Sequence, residues 1–550
     1  MPNNLKKNFS ITLLVLAVNL ISVYFFFRID LTQDKKYSLS EATENMLQNL
    51  SGPVQVNVYL DGDDLPGGFE RLKKAIEETL VEFKIEGGKN LNYQFINPYA
   101  QSTEEKRNAL FKELIDKGMQ PTNIYENVGG KKSENLIFPY ATVSYEDKEK
   151  VVLLLKSNQA ADAQTKLNQA YENVEYTLAS TIKKLTNTEK KKIGLLTEFT
   201  SLKPINFAGL ITSLQENYDL FIINATQSPT FEGLDALILP KPDRTIDDST
   251  KFKIDQYIMS GGKALFFVDG LNVDTMGLEG SFAKPLDINM DDMFFKYGLR
   301  INKNIIKDGL NAAVIPLVVG NMGDRPNIQP VPFRYFPLIN NFGDSPITKN
   351  LDMVYAKFSA DIDVVNKNDG LVKTPLLKTS EYTKVLNAPA LITYNEARSD
   401  TDQAEYNKGV KTIAYLVSGE FSSLFANSFS SSGILKKSPQ TQIMVCSDGD
   451  IIVNEVDKKS GNPFPLGFDK LSQHQFGNQD FVMNTIDYML NENGLIASKN
   501  KSVEIRPLDK LKTRDERNKW QLINTILPLS LLALIGFVRF YIIRKKYSLK

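Results

Sequence analysis

The sequence has very little of the two residue types on which disulfides and most zinc sites depend. Its 550 residues include one cysteine, Cys446, and one histidine, His474. A single cysteine excludes any disulfide within the chain. Zinc sites draw on several cysteines and histidines, and these two residues stand 28 positions apart. We therefore predict no metal and no cofactor, and a fold stabilised by packing alone.

A complete nucleotide-binding motif is also missing. Residues 261–263 read Gly-Gly-Lys, but Tyr257 stands where a phosphate-binding loop has its first glycine, and Ala264 replaces the hydroxyl that holds Mg²⁺. Residues 129–132 depart from the motif in the same way. If the protein works with ATP, a separate subunit must supply the nucleotide site.

Net charge and basic patches give no indication of nucleic acid. Lys plus Arg and Asp plus Glu both number 65, so the formal net charge is zero. No basic stripe with interleaved aromatic residues occurs in the sequence. We therefore predict no nucleic-acid partner.

A nucleophilic site would have to use Cys446, with His474 as its base. Such a cysteine sits on a tight turn into a helix, whereas Cys446 is followed by a short polar stretch and the apolar run 451–453, a pattern typical of a hairpin. Asp448 and Asp450 lack the further ligands of a calcium loop, so we expect them only to form a turn. We predict no catalytic, cofactor-binding or metal-binding residue, and the substrate-binding residues are unknown. An enzyme that uses the thiol or exposed carboxylates is the least favoured hypothesis.

What the sequence does have is a long apolar segment near each end. Residues 9–27 and 520–538 each run 19 positions without a charge. At about 1.5 Å per helical residue each spans roughly 28 Å, close to the hydrocarbon thickness of a bilayer. The tail 539–550 is basic and has no acidic residue, and residues 1–8 contain two lysines. We predict two transmembrane helices with both termini in the cytoplasm and the body of the chain exported.

The first apolar segment could instead be a cleaved signal peptide. Signal peptides have shorter apolar regions and end in small residues. This segment ends in Tyr-Phe-Phe-Phe before Arg28. A retained anchor is therefore the favoured interpretation.

The chain has the composition of a folded protein, with 42% hydrophobic residues over its full length, and the exported body is long enough for two or three domains. In residues 30–187, apolar and polar residues alternate at 54–60 and 91–96, which predicts two strands. Between them, over 69–85, apolar residues recur at the spacing of a helix, so the three segments indicate a βαβ unit. Two further strands, 135–145 and 150–155, form a predicted hairpin. This order favours a thioredoxin-like α/β domain.

That domain lacks the chemistry of a redox enzyme. A thioredoxin-like oxidoreductase carries a Cys-x-x-Cys pair after its first strand, whereas residues 61–68 read DGDDLPGG. The sequence therefore excludes disulfide exchange there.

Residues 188–510 show repeated strand and helix units with uniformly apolar strands. The predicted strands include 193–196, 220–223, 235–239 and 264–269. Strands buried on both faces are typical of a parallel sheet covered by helices. We predict a doubly wound, amidotransferase-like but non-catalytic domain, interrupted by a β-rich insertion over about 284–389.

Several stretches carry a resemblance to a known family. They are residues 9–32 with the first span, residues 36–40 (KYSLS), the strand 54–60 with its Asp/Gly/Pro loop, residues 257–269, and residues 505–509 (IRPLD). Over essentially its full length the chain resembles the GldG family, gliding-motility-associated auxiliary components of ABC transporters in the Bacteroidetes. None of these stretches is a catalytic motif.

The resemblance implies a two-pass protein of the bacterial inner membrane with a large periplasmic part. It further implies a GldF-like permease and a GldA-like ATPase as partners beside membrane lipid. We expect a non-catalytic accessory subunit that couples the transporter to a periplasmic partner or cargo. The alternative is a membrane-tethered solute-binding protein, because clefts at the carboxyl ends of parallel strands commonly hold ligands.

Overall fold

The structure is a computed structural model that describes residues 38–62, 65–101, 103–128, 131–156, 158–187, 189–273, 280–365, 370–398, 403–427, 433–490, 494–500 and 514–547. The chain divides after Ser502 into two compact units, unit 1 (Met1–Ser502) and unit 2 (Val503–Lys550). The predicted first span, residues 9–27, and the predicted N-terminal tail 1–8 lie outside the described residues.

The helices of the described residues are α1 (Glu41–Gln48), α2 (Gly67–Gly87), α3 (Glu104–Asp116), α4 (Ala163–Thr186), α5 (Ala208–Asn217), α6 (Asp248–Met259), α7 (Asp291–Lys296), α8 (Asn478–Leu490) and α9 (Arg517–Tyr547). The strands are β1 (Val54–Val58), β2 (Leu91–Phe95), β3 (Thr122–Val128), β4 (Lys131–Ile137), β5 (Tyr140–Tyr145), β6 (Lys148–Leu153), β7 (Lys192–Leu195), β8 (Asp219–Ile222), β9 (Ala236–Pro240), β10 (Lys263–Phe267), β11 (Leu271–Val273), β12 (Ser281–Pro285), β13 (Leu299–Ile301), β14 (Asn304–Asp308), β15 (Ala312–Met322), β16 (Arg325–Ile339), β17 (Asn341–Phe342), β18 (Val354–Tyr355), β19 (Ile362–Val364), β20 (Val372–Lys378), β21 (Thr383–Asn387), β22 (Ala390–Ile392), β23 (Thr412–Ser422), β24 (Lys437–Cys446), β25 (Phe468–Asp469) and β26 (His474–Gln475).

The first part of unit 1 is a four-stranded sheet in the order β2-β1-β5-β6. β1 pairs parallel with β2, and α2 makes the connection between them, so the predicted βαβ unit is confirmed. β5 pairs antiparallel with β1 and with β6. The predicted strand over 135–145 is wrong in one respect: it breaks around Pro139, and β4 pairs with β3 instead. The thioredoxin-like assignment stays a proposal, which this strand order supports.

The second part of unit 1 is built on an eight-stranded sheet in the order β17-β20-β23-β24-β10-β9-β7-β8. The five strands from β24 to β8 pair parallel, as the apolar pattern predicts. The three strands from β17 to β23 extend the sheet antiparallel. β17 and β20 fall inside the predicted insertion, so part of that insertion completes the main sheet instead of forming a separate body.

Both faces of this sheet are covered. Ile193, Ile238 and Leu265 point into one core, to which α5 and α8 contribute, while their strand neighbours Leu237 and Phe266 point into a second core with α6 and α7. Alternate side chains of one strand reach opposite faces, so strands buried on both sides must be apolar throughout. This explains why β9 reads as an unbroken apolar run.

Unit 2 contains α9, whose most apolar 18-residue window has a mean hydropathy of 2.2 and is exposed. Among the described residues this is the one helix long and apolar enough to cross a membrane. It includes the predicted span 520–538 and contains Pro528 in its interior. A two-pass topology stays a prediction.

Candidate functional site

Charged side chains gather at the carboxyl ends of three neighbouring parallel strands. Lys241 follows β9, Asp269 lies two residues after β10, and Asp448 and Asp450 follow β24. Carboxyl ends of parallel strands meet at one edge of a sheet, which is where α/β proteins usually place ligands. We call these four residues the carboxyl-edge cluster.

The lysine of this cluster lies between its acids. The Lys241 Nζ atom lies 2.7 Å from Asp269 Oδ2 and 2.6 Å from Asp450 Oδ2. One carboxylate oxygen from each aspartate lies within 4.8 Å of the other two, a spacing that would suit a cation. Lys241 already supplies positive charge at that place. Burial tends to lower the pKa of its ammonium, but the charges of Asp269 and Asp450 outweigh burial and raise that pKa.

The backbone is shaped to bring these groups together. Lys241 adopts the left-handed conformation with φ of 43°. A Cβ atom at Gly449 would stand 2.5 Å from Lys241 Cγ, so only glycine leaves room for this lysine. The Gly449 amide donates a 2.6 Å hydrogen bond to Asp269 Oδ1, which fixes the carboxylate in place.

Asp448 connects the sheet to the inserted region. This fully buried carboxylate accepts hydrogen bonds from the Lys357 amide (2.6 Å), the Ser359 hydroxyl (2.6 Å) and the Asp450 amide (2.9 Å). Burial, with the nearby charges of Asp450 and Asp269, raises its pKa to about 8. Burial likewise raises the pKa of Asp269. These carboxylates therefore hold protons more tightly than ordinary aspartates do.

A second ion pair borders the cluster. The Lys357 ammonium lies 3.1 Å from Glu455 Oε1 and 4.9 Å from the centre of the Tyr355 ring. With Lys241 it closes the carboxyl edge by contacts between side chains of this chain. The prediction that 448–450 form only a turn was therefore incomplete, and the predicted apolar strand at 451–453 is wrong, because Gly449–Ile452 forms a 3₁₀ turn.

The structure gives Cys446 and His474 separate partners. Cys446 is fully buried, its Sγ atom lies 3.6 Å from the Asp448 carbonyl oxygen, and burial raises the pKa of its thiol. His474 Nε2 lies 2.7 Å from Asp352 Oδ2. A nucleophilic thiol needs a lowered pKa, an accessible position and an adjacent base. Neither residue has the setting of a catalytic pair.

The Gly-Gly-Lys sequence at 261–263 is a packed turn between α6 and β10. Gly261 has φ of 98°, and a Cβ atom at Gly262 would lie 2.4 Å from Tyr257 Cζ. The Thr441 hydroxyl bonds to the carbonyl oxygens of both glycines. Carbonyls and packed glycines do not make a phosphate cradle, which needs free backbone N–H groups. The similar sequence at 129–132 falls partly outside the described residues.

A second charge cluster lies where α4, α8 and the turn Leu495–Asn500 pack together, with Lys499 buried and the Lys156–Asp480 pair about half exposed. Lys156 bonds to both carboxylate oxygens of Asp480 at 2.9 Å, and Lys184 Nζ lies 3.2 Å from Asp487 Oδ2. Lys499 completes the group, which we call the helix-pair cluster. Nothing in the sequence pattern indicated it.

Lys499 is the unusual member of the helix-pair cluster. Its buried ammonium donates a 2.9 Å hydrogen bond to Asn484 Oδ1 and lies 4.4 Å from the centre of the Tyr176 ring. Burial, helped by the positive charge of Lys156, lowers its pKa to about 7. Asp487 also accepts a hydrogen bond from the Tyr218 hydroxyl. Burial tends to raise the pKa of Asp487, but the charge of Lys184 and this hydrogen bond hold that pKa below its ordinary value.

A cavity of about 220 Å³ lies at the carboxyl ends of β1 and β2. Its lining includes Tyr59, Asp61, Asn97 and Tyr99. This is the place where a redox enzyme of the predicted class would carry its cysteine pair. In this chain, residues of the DGDDLPGG loop line it instead.

Comparison with known proteins identifies the family of this chain. The profile of the family described as "ABC-type uncharacterized transport system" matches residues 190–485. The chain belongs to this family. It is an auxiliary component of an ABC-type transport system, and the matched region includes the parallel strands and the whole carboxyl-edge cluster. A second profile, described as a domain of unknown function (DUF7088), matches residues 33–144.

Two individual proteins are similar to the chain. An uncharacterized protein of Borreliella burgdorferi is 23% identical over 440 residues, which are 78% of this chain and 79% of that protein. The solved mmIFT52 N-terminal domain aligns with 55% of this chain and 98% of its own, at 10% identity and a TM-score of 0.27. So low a score supports no conclusion about fold or function.

Proposed function

We propose that the chain is a non-catalytic, membrane-anchored accessory subunit of an ABC transporter complex that takes part in gliding motility. Its partners would be a GldF-like permease and a GldA-like ATPase in the inner membrane. Unit 1 would lie in the periplasm and couple the transport cycle to a periplasmic partner or cargo. The match to the auxiliary family over residues 190–485 carries the accessory-subunit part of the proposal. The gliding role and the GldF-like and GldA-like partners follow from the resemblance of stretches such as 36–40 and 505–509.

The state of the carboxyl edge supports a non-catalytic role. Lys241, Asp269 and Asp450 are bonded to one another, and Asp448 accepts three hydrogen bonds from its own chain. Groups that satisfy one another in this way stabilise the fold and leave little capacity for substrate. The same contacts disfavour the tethered solute-binding alternative, which needs an open cleft at this edge.

Copurification from the native host tests the partnership. The tagged full chain, extracted in a mild detergent, should carry a permease and an ATPase polypeptide in a fixed ratio. The untagged strain provides the control for adhesion to the resin. Recovery of the chain free of both polypeptides, under conditions that keep other transporters intact, would contradict the proposal. Loss of gliding in a strain without the chain would test the motility part separately.

The single buried cysteine makes a clean topology experiment possible. In a Cys446→Ala background, Lys459→Cys places a thiol on an exposed turn of unit 1. A membrane-impermeant maleimide should label this thiol in intact spheroplasts if unit 1 is periplasmic. Labelling only after lysis would place unit 1 in the cytoplasm and contradict the proposed localisation.

A further inference from the structure

A lysine-lined groove of about 540 Å³ lies where the end of α4 meets the amino ends of β7, β8 and β9. Lys183 and Lys184 come from the last turn of α4, and Lys190, Lys191 and Lys192 from the segment leading into β7. We call it the lysine groove. No catalytic, nucleotide-binding or metal-binding motif of the sequence falls on this groove.

Positive charge exceeds negative charge in the lysine groove. Five lysines line it together with three carboxylates, and two of those carboxylates are already paired: Asp487 with Lys184 and Asp235 with Lys191. Lys190 and Lys192 are exposed, and the Lys190 Nζ atom donates a 3.0 Å hydrogen bond to the Gln215 carbonyl oxygen. Exposed ammonium groups on flexible stems suit an anionic surface better than a shaped small-molecule ligand.

Both described ends of unit 1 lie beside the lysine groove. Leu495, near the end of the unit, lines the groove itself. A neighbouring cavity of about 490 Å³ is lined by Ala42 and Met46 of α1, by Leu495 and by Lys183. The first and last described elements of unit 1 therefore lie together here, and the sequence continues after this unit to the apolar helix α9.

We propose that the lysine groove binds the headgroups of anionic phospholipids. This rests on the proposed membrane anchoring, which makes lipid the anionic surface nearest to the ends of the unit. Basic residues close to a membrane contribute about fivefold in affinity each when the lipid is anionic. The binding would hold this end of unit 1 against the bilayer.

The test uses the full chain in dodecyl maltoside micelles, titrated with soluble dihexanoylphosphatidylglycerol and followed by calorimetry. Dihexanoylphosphatidylcholine, glycerol phosphate and a hexaglutamate peptide serve as comparison ligands. The variant Lys190→Gln/Lys192→Gln should weaken phosphatidylglycerol binding by about 25-fold. The matched control Lys458→Gln/Lys459→Gln, which removes two exposed lysines from another turn, should change it less than twofold.

Each other outcome overturns the proposal. Equal binding of phosphatidylcholine would show that headgroup charge is irrelevant, and equal binding of glycerol phosphate would indicate a site for free phosphate. Tighter binding of hexaglutamate would point to an acidic protein partner. Equal losses in the two double variants would show that the lysines act only through net charge. The assay contains no transporter subunit, so its failure is distinguishable from a failed copurification.

Discussion

The two charge clusters of unit 1 are unbalanced in opposite directions. The carboxyl-edge cluster has three aspartates for one lysine, whereas the helix-pair cluster has three lysines for two aspartates. In each cluster a residue of the majority charge has a pKa near neutrality, about 8 for Asp448 and about 7 for Lys499. We therefore expect each network to lose a majority charge at little cost in stability but to depend on its minority charge.

Lys241→Met tests the minority charge and has the largest expected effect. Removing the ammonium leaves Asp269 and Asp450 close together without compensation. Breaking a buried ion pair on one side destabilises by roughly 3–5 kcal/mol, and since a fifth of the Lys241 side chain is exposed we expect about 3 kcal/mol. Guanidinium unfolding of the full chain at pH 7, followed by circular dichroism, measures this loss.

The control for that measurement is Lys357→Met, whose partner Glu455 is more exposed. It should lose about 1 kcal/mol. Equal losses in the two variants would contradict a special dependence on Lys241. Tryptophan fluorescence would not serve here, because Trp520 is the single tryptophan and lies in unit 2.

Asp448→Asn tests a majority charge through its pH dependence. An ordinary aspartate in the unfolded chain has a pKa near 3.9, whereas the folded pKa of Asp448 is about 8, so between these values the folded state holds the extra proton. The stability contributed by this group is therefore present at low pH and is lost as pH rises towards 8. Between pH 6 and pH 8 the wild type should lose roughly 2 kcal/mol through this group. The asparagine variant should lack that slope, and an unchanged slope would assign it to another group.

Lys499→Met makes the same substitution as Lys241→Met in the other cluster and should have the opposite sign. With a folded pKa of about 7 and an unfolded pKa near 10.4, the unfolded state holds the extra proton between these values, so stability rises with pH over this range. Replacing buried charge by an apolar side chain is often neutral or stabilising. Through this group the wild type should gain about 3 kcal/mol between pH 7 and pH 10, so we expect the variant to be more stable by about 1 kcal/mol at pH 7 and less stable by about 2 kcal/mol near pH 10. A loss comparable to that of Lys241→Met would remove the distinction between the clusters.

Cys446→Ala has the smallest expected effect and asks whether the carboxyl edge does chemistry. The buried thiol contacts only structural neighbours, so copurification with the transporter and gliding should be unchanged. The small cavity should lower stability by about 1 kcal/mol. Loss of function in a variant that still folds would revive the enzyme hypothesis.

Local patterns predicted much of the fold. Alternation placed β1 and β2 within one or two residues of their observed bounds, and unbroken apolar runs predicted the parallel strands. These signals are strong because each reflects burial of a strand on one face or on both. The break at Pro139 was missed because both sides of it read as strand.

The charge clusters could not be predicted from the spacing of their residues along the sequence. β24 begins about 170 residues after β10 ends, so the adjacency of Asp269 and Asp448 depends on a strand order that no local pattern encodes. A useful signal was present nonetheless: each of the three strands is followed closely by a charged residue. Lys499 had no such signal, since its burial depends on how three separate elements pack.

The closeness of the two ends of unit 1 has a mechanical consequence. Tension applied through the chain on either side would act on α1 and on the turn Leu495–Asn500, which pack beside each other against α4. The eight-stranded sheet would stay outside the path of that force. A pull on either described end of unit 1 would therefore load these two short elements before the eight-stranded sheet.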